Sequence, residues 1–96
     1  MKLEKNIPLG AEKVTPGEVL KEEFIDPMGL SLREVARRMG IGPMRLSEIA
    51  RGRRAITADT ALRLAMVFKG TTPRFWMNLQ TTHDLAKAAL AMKSVA

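Results

Sequence analysis

Two short helix-forming segments lie within residues 31–52, with very few residues between them, and this spacing constrains the fold most. Ser31 followed by Glu34 predicts a capping box, in which each side chain accepts a free backbone N–H of the first helical turn. Apolar residues then recur at i, i+3, i+4 and i+7, the spacing of one helix face: Leu32, Val35, Ala36 and Met39. Gly40 is predicted to end this helix in the left-handed backbone conformation.

The next helix begins almost at once, because proline is favoured at a first helical position and Pro43 follows Gly42. Its inward face is predicted to carry Leu46, Ile49 and Ala50, and Gly52 to end it. A connection this short makes the two helices cross, with Ala36 at the close approach and Ile41 in the turn. This is a helix-turn-helix arrangement, although a structural α-hairpin has similar signals.

The rest of the chain predicts three more helices and no strand, so the fold class is all-α with five helices. We expect residues 1–14 to form an N-terminal arm and residues 15–96 to form the domain. The first helix begins at Thr15 and Pro16, and the fourth follows Thr57, with Asp59 as a helix-dipole partner in its first turn. Its predicted inward residues are Ala61, Leu62, Leu64, Ala65 and Phe68. The fifth is long, from Pro73 to about Met92.

Composition excludes several classes of function. A chain of 96 residues forms one domain, and with no cysteine it has no disulfide or thiolate site. His83 is the single histidine, without partners at metal-ligand or triad spacing, so we expect it at the surface or on a dimer face. The sequence therefore predicts no enzyme, no metal and no cofactor. Without an apolar stretch of membrane-spanning length or a signal peptide, we expect a cytoplasmic protein.

Positive charge is concentrated in the same segment as the helix pair. Residues 31–54 carry seven arginines and two glutamates, which accounts for most of the net charge of +6, whereas residues 1–30 carry a net −2. The arginine fork suits phosphates and guanine edges, so this segment is typical of a nucleic-acid footprint rather than only a solvated face. RNA is the weaker target, because no aromatic stacking platform accompanies the arginines.

The expected DNA contacts follow from the geometry of the motif, in which the second of its helices enters the major groove. Its outward residues are Pro43, Met44, Arg45, Ser47 and Glu48. Arg45 is predicted to read a base or contact a phosphate, and Met44 to contact a thymine methyl. Glu48 either accepts from cytosine, orients Arg45 or Arg51, or pairs with Arg51 on a solvated face. The predicted phosphate contacts are Ser31, Arg33, Arg51, Arg53 and Arg54.

The segment SLREVARRMGIGPMRLSEIARGRRAIT resembles the helix-turn-helix of the Cro and phage-repressor class, and its flanks narrow the resemblance. PGEVLKEEFIDPMGLS before it and ITADTALRLAMVFKGTTPRFWMNLQ after it are similar to HigA-type (VapI-like) antitoxins. The resemblance implies a lambda-repressor-like domain that binds its operator as a dimer, represses its operon and neutralises a HigB-type mRNA-cleaving toxin. The family's recognition positions fall on Pro43, Met44, Arg45 and Glu48, preceded by Ser31, Leu32 and Arg33. Leu32 departs from the glutamine of many phage repressors.

The sequence leaves alternatives for two interfaces, one between the protomers of a dimer and one with the toxin. Phe75 and Trp76 lie about 100° apart on the fifth helix, so one is expected in the core. The other is expected in a dimer seam unless both share one wide core stripe, and the predicted seam is Trp76, Leu79, Leu85, Ala89 and Met92. The acidic first helix is a candidate toxin surface or a solvated face: Glu18, Glu22, Glu23 and Asp26. A stand-alone repressor without a toxin is the alternative function, and a neighbouring toxin gene distinguishes the two.

Overall fold

Every regular element in the described part of the chain is helical, which confirms the predicted all-α class. The computed structural model describes Pro8 and residues 10–95, with side chains to Lys93. A short 3₁₀ turn precedes five α-helices. The bounds are Ala11–Lys13 for the turn, Pro16–Val19 for α1, Leu32–Met39 for α2, Pro43–Ala50 for α3, Ala58–Val67 for α4 and Pro73–Val95 for α5.

The first helix begins as predicted and then widens. The hydroxyl oxygen of Thr15 accepts a bond from the Glu18 N–H at 3.1 Å, which caps α1. From Leu20 to Ile25 the chain continues as a π-helix, in which the Asp26 N–H donates to the Lys21 carbonyl at 2.8 Å. The sequence signals predicted only one uninterrupted helix, because propensity does not distinguish a wide turn from an α-turn.

The chain's four aromatic residues form one cluster. This cluster joins the first helical segment, which is α1 together with the π-helix up to Ile25, to α4 and α5. Phe24 lies at its centre, with ring centroids 4.8 Å from Trp76, 5.6 Å from Phe68 and 6.0 Å from Phe75. These separations are those of favourable tilted and edge-to-face pairs. The cluster therefore packs the helical segment before the helix-turn-helix against the two helices that follow it.

Burial in the aliphatic core confirms the predicted inward faces of α2 and α3. For α4, one of the predicted inward residues is exposed. Val35, Ala36, Leu46 and Ile49 are completely buried, as their spacing predicts. On α4, Ala61 and Leu64 are buried, but Leu62 is 57% exposed and the prediction for it is wrong. A helix covered on one side buries a stripe of residues, and Leu62 lies outside that stripe.

Trp76 belongs to the core, so its assignment to a dimer seam is wrong. It has no exposed surface, and its indole Nε1 donates to the Thr71 hydroxyl at 3.0 Å. Phe75 is the partly exposed member of the pair. Ala89 is also buried, at 8% exposure, and is a poor candidate for contact with a second protomer. Leu85 and Met92 are about half exposed, and a seam on this helix would depend on them.

The described part of the arm lies against α5. The Nδ1 atom of His83 is 3.0 Å from the Ala11 carbonyl oxygen, and His83 is buried. Of the two predicted positions for His83, the surface is therefore wrong, and the sequence did not reveal the contact because Ala11 lies 72 residues away. Ala11, Val14, Phe75 and Leu79 line an apolar groove of about 380 Å³ beside this contact. Residues 1–7 and residue 9 of the predicted arm lie outside the described residues.

Gly17 marks the closest approach of two helices. A Cβ atom at this position would lie 1.6 Å from the carbonyl oxygen of Ile49 and 2.6 Å from its carbonyl carbon. Both are backbone atoms at the end of α3, so no rotamer change makes room. The absence of a side chain at Gly17 is what allows α1 to cross the end of α3.

We expect Gly17→Ala to lower the free energy of unfolding by about 3 kcal/mol or more, since the added methyl group forces two helix backbones apart. Chemical unfolding followed by circular dichroism measures the loss. Gly42→Ala is the matched control, because a Cβ there meets nothing within 4 Å. At this N-cap position it is expected to cost no more than about 1 kcal/mol. Equal losses in the two variants would contradict the close-approach argument.

Candidate nucleic-acid interface

The helix-turn-helix forms where the sequence predicts it, with α2 and α3 joined by residues 40–42. Gly40 has a positive φ of 74°, the left-handed conformation that ends α2, and Pro43 opens α3. The Ser31 oxygen accepts a bond from the Glu34 N–H at 3.1 Å, which confirms the predicted cap. The reciprocal half of the capping box does not form, because the Glu34 carboxylate bonds to two arginines instead.

Those two arginines follow Glu34 on the next turn of α2. Arg37 donates from Nη2 at 2.6 Å and from Nε at 3.0 Å, and Arg38 donates from Nε at 2.8 Å. The hydrogen bonds from Arg37 and then Arg38 lower the pKa of Glu34 from 4.5 to about 2. The carboxylate is therefore ionised at neutral pH and compensates part of the positive charge of α2.

The start of α2 is suited to a phosphate. Its first backbone N–H groups have no partner within the helix, and Ser31 and Arg33 are exposed beside them. The Ser31 oxygen accepts from Glu34, which leaves its hydroxyl hydrogen available to donate. Both predicted phosphate contacts thus lie at the positive end of one helix dipole.

The outward surface of α3 is only partly polar. Met44, on the first turn, is 77% exposed, and Pro43 beside it is exposed too. Ser47 and Glu48 follow on the same side and are half-buried. These four predicted contact residues share one face, as the helical spacing requires.

Arg45 turns away from that face towards α4. Its Nη2 atom donates to the Thr60 hydroxyl at 2.8 Å and to Asp59 Oδ2 at 2.9 Å. The same Asp59 oxygen accepts from Arg63 Nε at 3.0 Å. Asp59 is therefore more than the predicted helix-dipole partner, because it links two arginines from different helices. Arg45, followed by Arg63, lowers the pKa of Asp59.

Arg63 extends this network to the end of α2. Its Nη1 atom donates to the Met39 carbonyl at 2.9 Å and to the Gly40 carbonyl at 3.4 Å. Carbonyls at a helix C-terminus lack partners in their own helix, so a guanidinium is a favourable cap. Spacing i,i+4 reveals the Asp59–Arg63 pair in the sequence. No sequence signal reveals the bond to Met39, which is 24 residues away.

Glu48 pairs with an arginine that none of the sequence-based alternatives named. Its Oε1 atom accepts from Arg54 Nη2 at 2.7 Å and from Arg54 Nε at 3.1 Å. Arg45 and Arg51, the expected partners, make no such bond to it among the residues that the structure describes. The predicted base contact Glu48 and the predicted phosphate contact Arg54 are thus coupled to each other.

The arginines of this segment divide into two groups. Arg37, Arg38, Arg45 and Arg54 each pair with a carboxylate. Within the described residues, the remaining three form no ion pair and are exposed: Arg33, Arg51 and Arg53. Unpaired cations are the ones that a polyanion binds without first displacing a carboxylate.

The loop that carries Arg51, Arg53 and Arg54 is anchored at two points. The Ile56 N–H donates to Gln80 Oε1 at 2.8 Å, and Gln80 Nε2 donates to Asp84 at 2.9 Å. Gly52, at a φ of 76°, lies so close to Thr15 that a Cβ would approach its methyl group to 2.7 Å. Sequence reasoning missed Gln80, a buried amide without any local signal of its role.

Two kinds of feature are absent from the part of the chain that the structure describes. No group of three or more His, Asp or Glu side chains is arranged to hold a metal ion. In the same residues, the helices lack the combination of length and apolarity that crossing a membrane requires.

Comparison with known proteins identifies the family. The helix-turn-helix family model matches residues 20–76. Antitoxin HigA-1 of Vibrio cholerae is 40% identical over 72 residues, which cover 75% of this chain and 67% of that protein. The chain belongs to the helix-turn-helix family, as a HigA-type antitoxin.

Two further relatives extend the match over most of the chain. Virulence-associated protein I of Dichelobacter nodosus is 43% identical over 93 residues, or 94% of this chain and 85% of that protein. The solved structure of Pseudomonas aeruginosa antitoxin HigA with the higBA promoter has a TM-score of 0.79 at 37% identity. It covers 84% of this chain and 87% of that one. Helix-turn-helix antitoxins are regulators and not a class of enzymes.

The Glu34 interactions generate a prediction of pH dependence. Its folded pKa of about 2 lies below the ordinary 4.5, so ionised Glu34 stabilises the fold above pH 4.5. That contribution is lost as the pH falls from 4.5 towards 2. We expect the free energy of unfolding to fall less steeply across this window in Glu34→Gln than in the unmodified chain.

Chemical unfolding at a series of pH values measures the two slopes. Glu22→Gln, at an exposed position of the first helical segment, is the charge-matched control and should leave the slope of the unmodified chain nearly unchanged. Parallel pH profiles for the unmodified chain and Glu34→Gln would contradict the role given to the Arg37 and Arg38 bonds.

Proposed function

We propose that the chain is an antitoxin and autorepressor, which binds operator DNA as a dimer and neutralises a HigB-type toxin. The observation that carries the DNA-binding half is the match to an antitoxin HigA solved with its promoter, together with the exposed face of α3. Family membership supports the toxin-binding half.

In the proposed complex, α3 lies in the major groove and the unpaired arginines contact phosphates. Arg33 lies at the start of α2, before the recognition helix, and Arg51 and Arg53 lie after it. Phosphate contacts on both sides of α3 fix its register in the groove, as in other helix-turn-helix complexes. Gln80 supports the second of these contacts by holding the loop to α5.

The dimer half of the proposal rests on α5 and on symmetry. Operator half-sites about one turn of DNA apart, roughly 34 Å, match a protein with a two-fold axis. With Trp76 and Ala89 buried, the exposed apolar residues of the predicted seam are Leu85 and Met92. Leu79 lines the groove beside the N-terminal segment instead.

For the toxin, the acidic side of the first helical segment is the proposed surface. Glu18, Glu22 and Glu23 are exposed, whereas Asp26 accepts a bond from Lys21 Nζ at 3.1 Å. The acidic surface is therefore reduced to the three glutamates. An enzyme that binds mRNA needs a basic surface, and these glutamates match it in charge.

We expect fluorescence anisotropy to show selective binding to the chain's own upstream region over a scrambled duplex. Arg53→Ala should weaken binding to both duplexes about equally. It should also reduce the salt slope by about one unit for each Arg53 in the complex, because one phosphate contact is lost. Arg74→Ala removes an exposed arginine from the first turn of α5, outside the arginine-rich segment, and is the control that should leave the slope unchanged.

Equal binding of both duplexes by the unmodified chain would contradict operator recognition. It would reduce the arginine segment to a general polyanion site.

For the toxin surface, the variant replaces Glu18, Glu22 and Glu23 with lysine. We expect it to lose binding to the purified neighbouring toxin, because like charges then face each other. Isothermal titration calorimetry measures the affinity, and circular dichroism verifies the fold. The corresponding triple glutamine variant should have an intermediate affinity. Undiminished binding by the lysine variant would place the toxin elsewhere on the chain.

A further inference from the structure

The charged side chains of the recognition helix are engaged within the protein. Arg45 uses Nη2 for two bonds, to Thr60 at 2.8 Å and to Asp59 at 2.9 Å. Glu48 uses Oε1 for two bonds from Arg54. The side chains that sequence reasoning assigned to hydrogen-bonded base reading therefore have other partners.

The geometry of the guanidinium group shows why these bonds prevent Arg45 from reading guanine. Reading guanine requires two parallel N–H groups, one to O6 and one to N7. The fork offers two such edges, Nε with Nη2 and Nη1 with Nη2, so both edges need a hydrogen of Nη2. Nη2 has two hydrogens, and Asp59 and Thr60 accept them. Arg45 held in this way has no complete edge for guanine.

The acceptors of Arg45 are themselves fixed. Thr60 is 1% exposed and lies at the start of α4, beside the capping residue Thr57, whose hydroxyl is 3.2 Å from that of Thr60. Asp59 is held by Arg63, which is bonded in turn to the end of α2. Freeing Nη2 therefore costs the two bonds that connect α3 to α4.

The other outward side chains of α3 differ in which base edges they can distinguish. The hydroxyl of Ser47 both donates and accepts, so it fits either kind of base edge. Glu48 is drawn towards Arg54 in the loop after α3. Met44 is 77% exposed on the first turn of α3, the part of a recognition helix that contacts bases. In the major groove the apolar feature available to it is the thymine C5-methyl group.

We propose that Met44 is a specificity-determining residue, which recognises thymine through van der Waals contact with its 5-methyl group while Arg45 braces α3 against α4. This inference rests on the proposed operator binding and names the chemistry that this binding reads. Methionine suits the task because its unbranched thioether adapts to the position of the methyl group.

A double-mutant cycle between protein and DNA tests the inference. The operator duplex is prepared with thymine or with uracil, which pairs identically but lacks the methyl group, in synthetic DNA without methylated cytosine. We expect uracil to weaken binding of the unmodified chain about four-fold for each methyl group that Met44 covers. Met44→Ala should bind both duplexes with equal affinity, so that the cycle isolates this contact from changes in DNA shape.

Met66→Ala is the matched control, since Met66 is 75% exposed on α4 and should keep the full preference for thymine. A 7-deazaguanine duplex, which lacks the N7 acceptor, should bind as well as the unmodified operator. Weaker binding of the 7-deazaguanine duplex by the unmodified chain, with no such weakening in Arg45→Ala, would show that Arg45 reads guanine and would overturn the inference. Equal binding of thymine and uracil duplexes by the unmodified chain would overturn it too.

Failure of the proposed function has a different signature. In that case the unmodified chain does not distinguish the thymine operator from a scrambled duplex, and the inference fails with it. Selective operator binding that is indifferent to uracil contradicts the methyl contact alone.

Discussion

The crossing of α1 over the end of α3 depends on a single absent side chain. Gly17 allows the backbone of α1 to approach the carbonyl of Ile49, and this contact positions the helix that carries the proposed DNA contacts. The crossing lies at the C-terminal end of α3, whereas Pro43 and Met44 on its first turn remain exposed. Backbone packing at one end of this short helix thus leaves the surface at its other end free for the proposed contact with DNA.

Polar contacts then connect the three helices around the turn. Asp59 joins Arg45 to Arg63, and Arg63 caps the carbonyls at the end of α2. Exposed ion pairs contribute little stability singly, so the importance of this network lies in orientation rather than in energy. It commits Arg45 and Arg63 to the protein, whereas Arg33, Arg51 and Arg53 form no ion pair within the described residues.

Local signals predicted most of the fold. The caps at Ser31 and Thr57, the glycine after α2 and the apolar spacing of α2 and α3 all depend on residues within one or two turns. The failures have another origin. The partners of His83, Gln80 and Arg45 lie 72, 24 and 14 residues away, and no periodicity encodes them. The prediction for Leu62 failed for a local reason, because this apolar residue lies beside the buried face of α4 and was assigned to that face. The sequence alone does not show which of the adjacent residues Phe75 and Trp76 enters the core, because that depends on how α5 packs against α4.

The exposed position of Met44 separates its proposed role in choosing a DNA site from the folding of the domain. Its side chain supports no other part of the protein that the structure describes, whereas the neighbouring Arg45 is built into the helix network. A substitution at Met44 leaves the core and the proposed phosphate contacts intact. Under the proposed reading of thymine by Met44, related chains could diverge towards different operators through this one surface residue without losing stability, and paralogous modules in one cell could become insulated from each other in the same way.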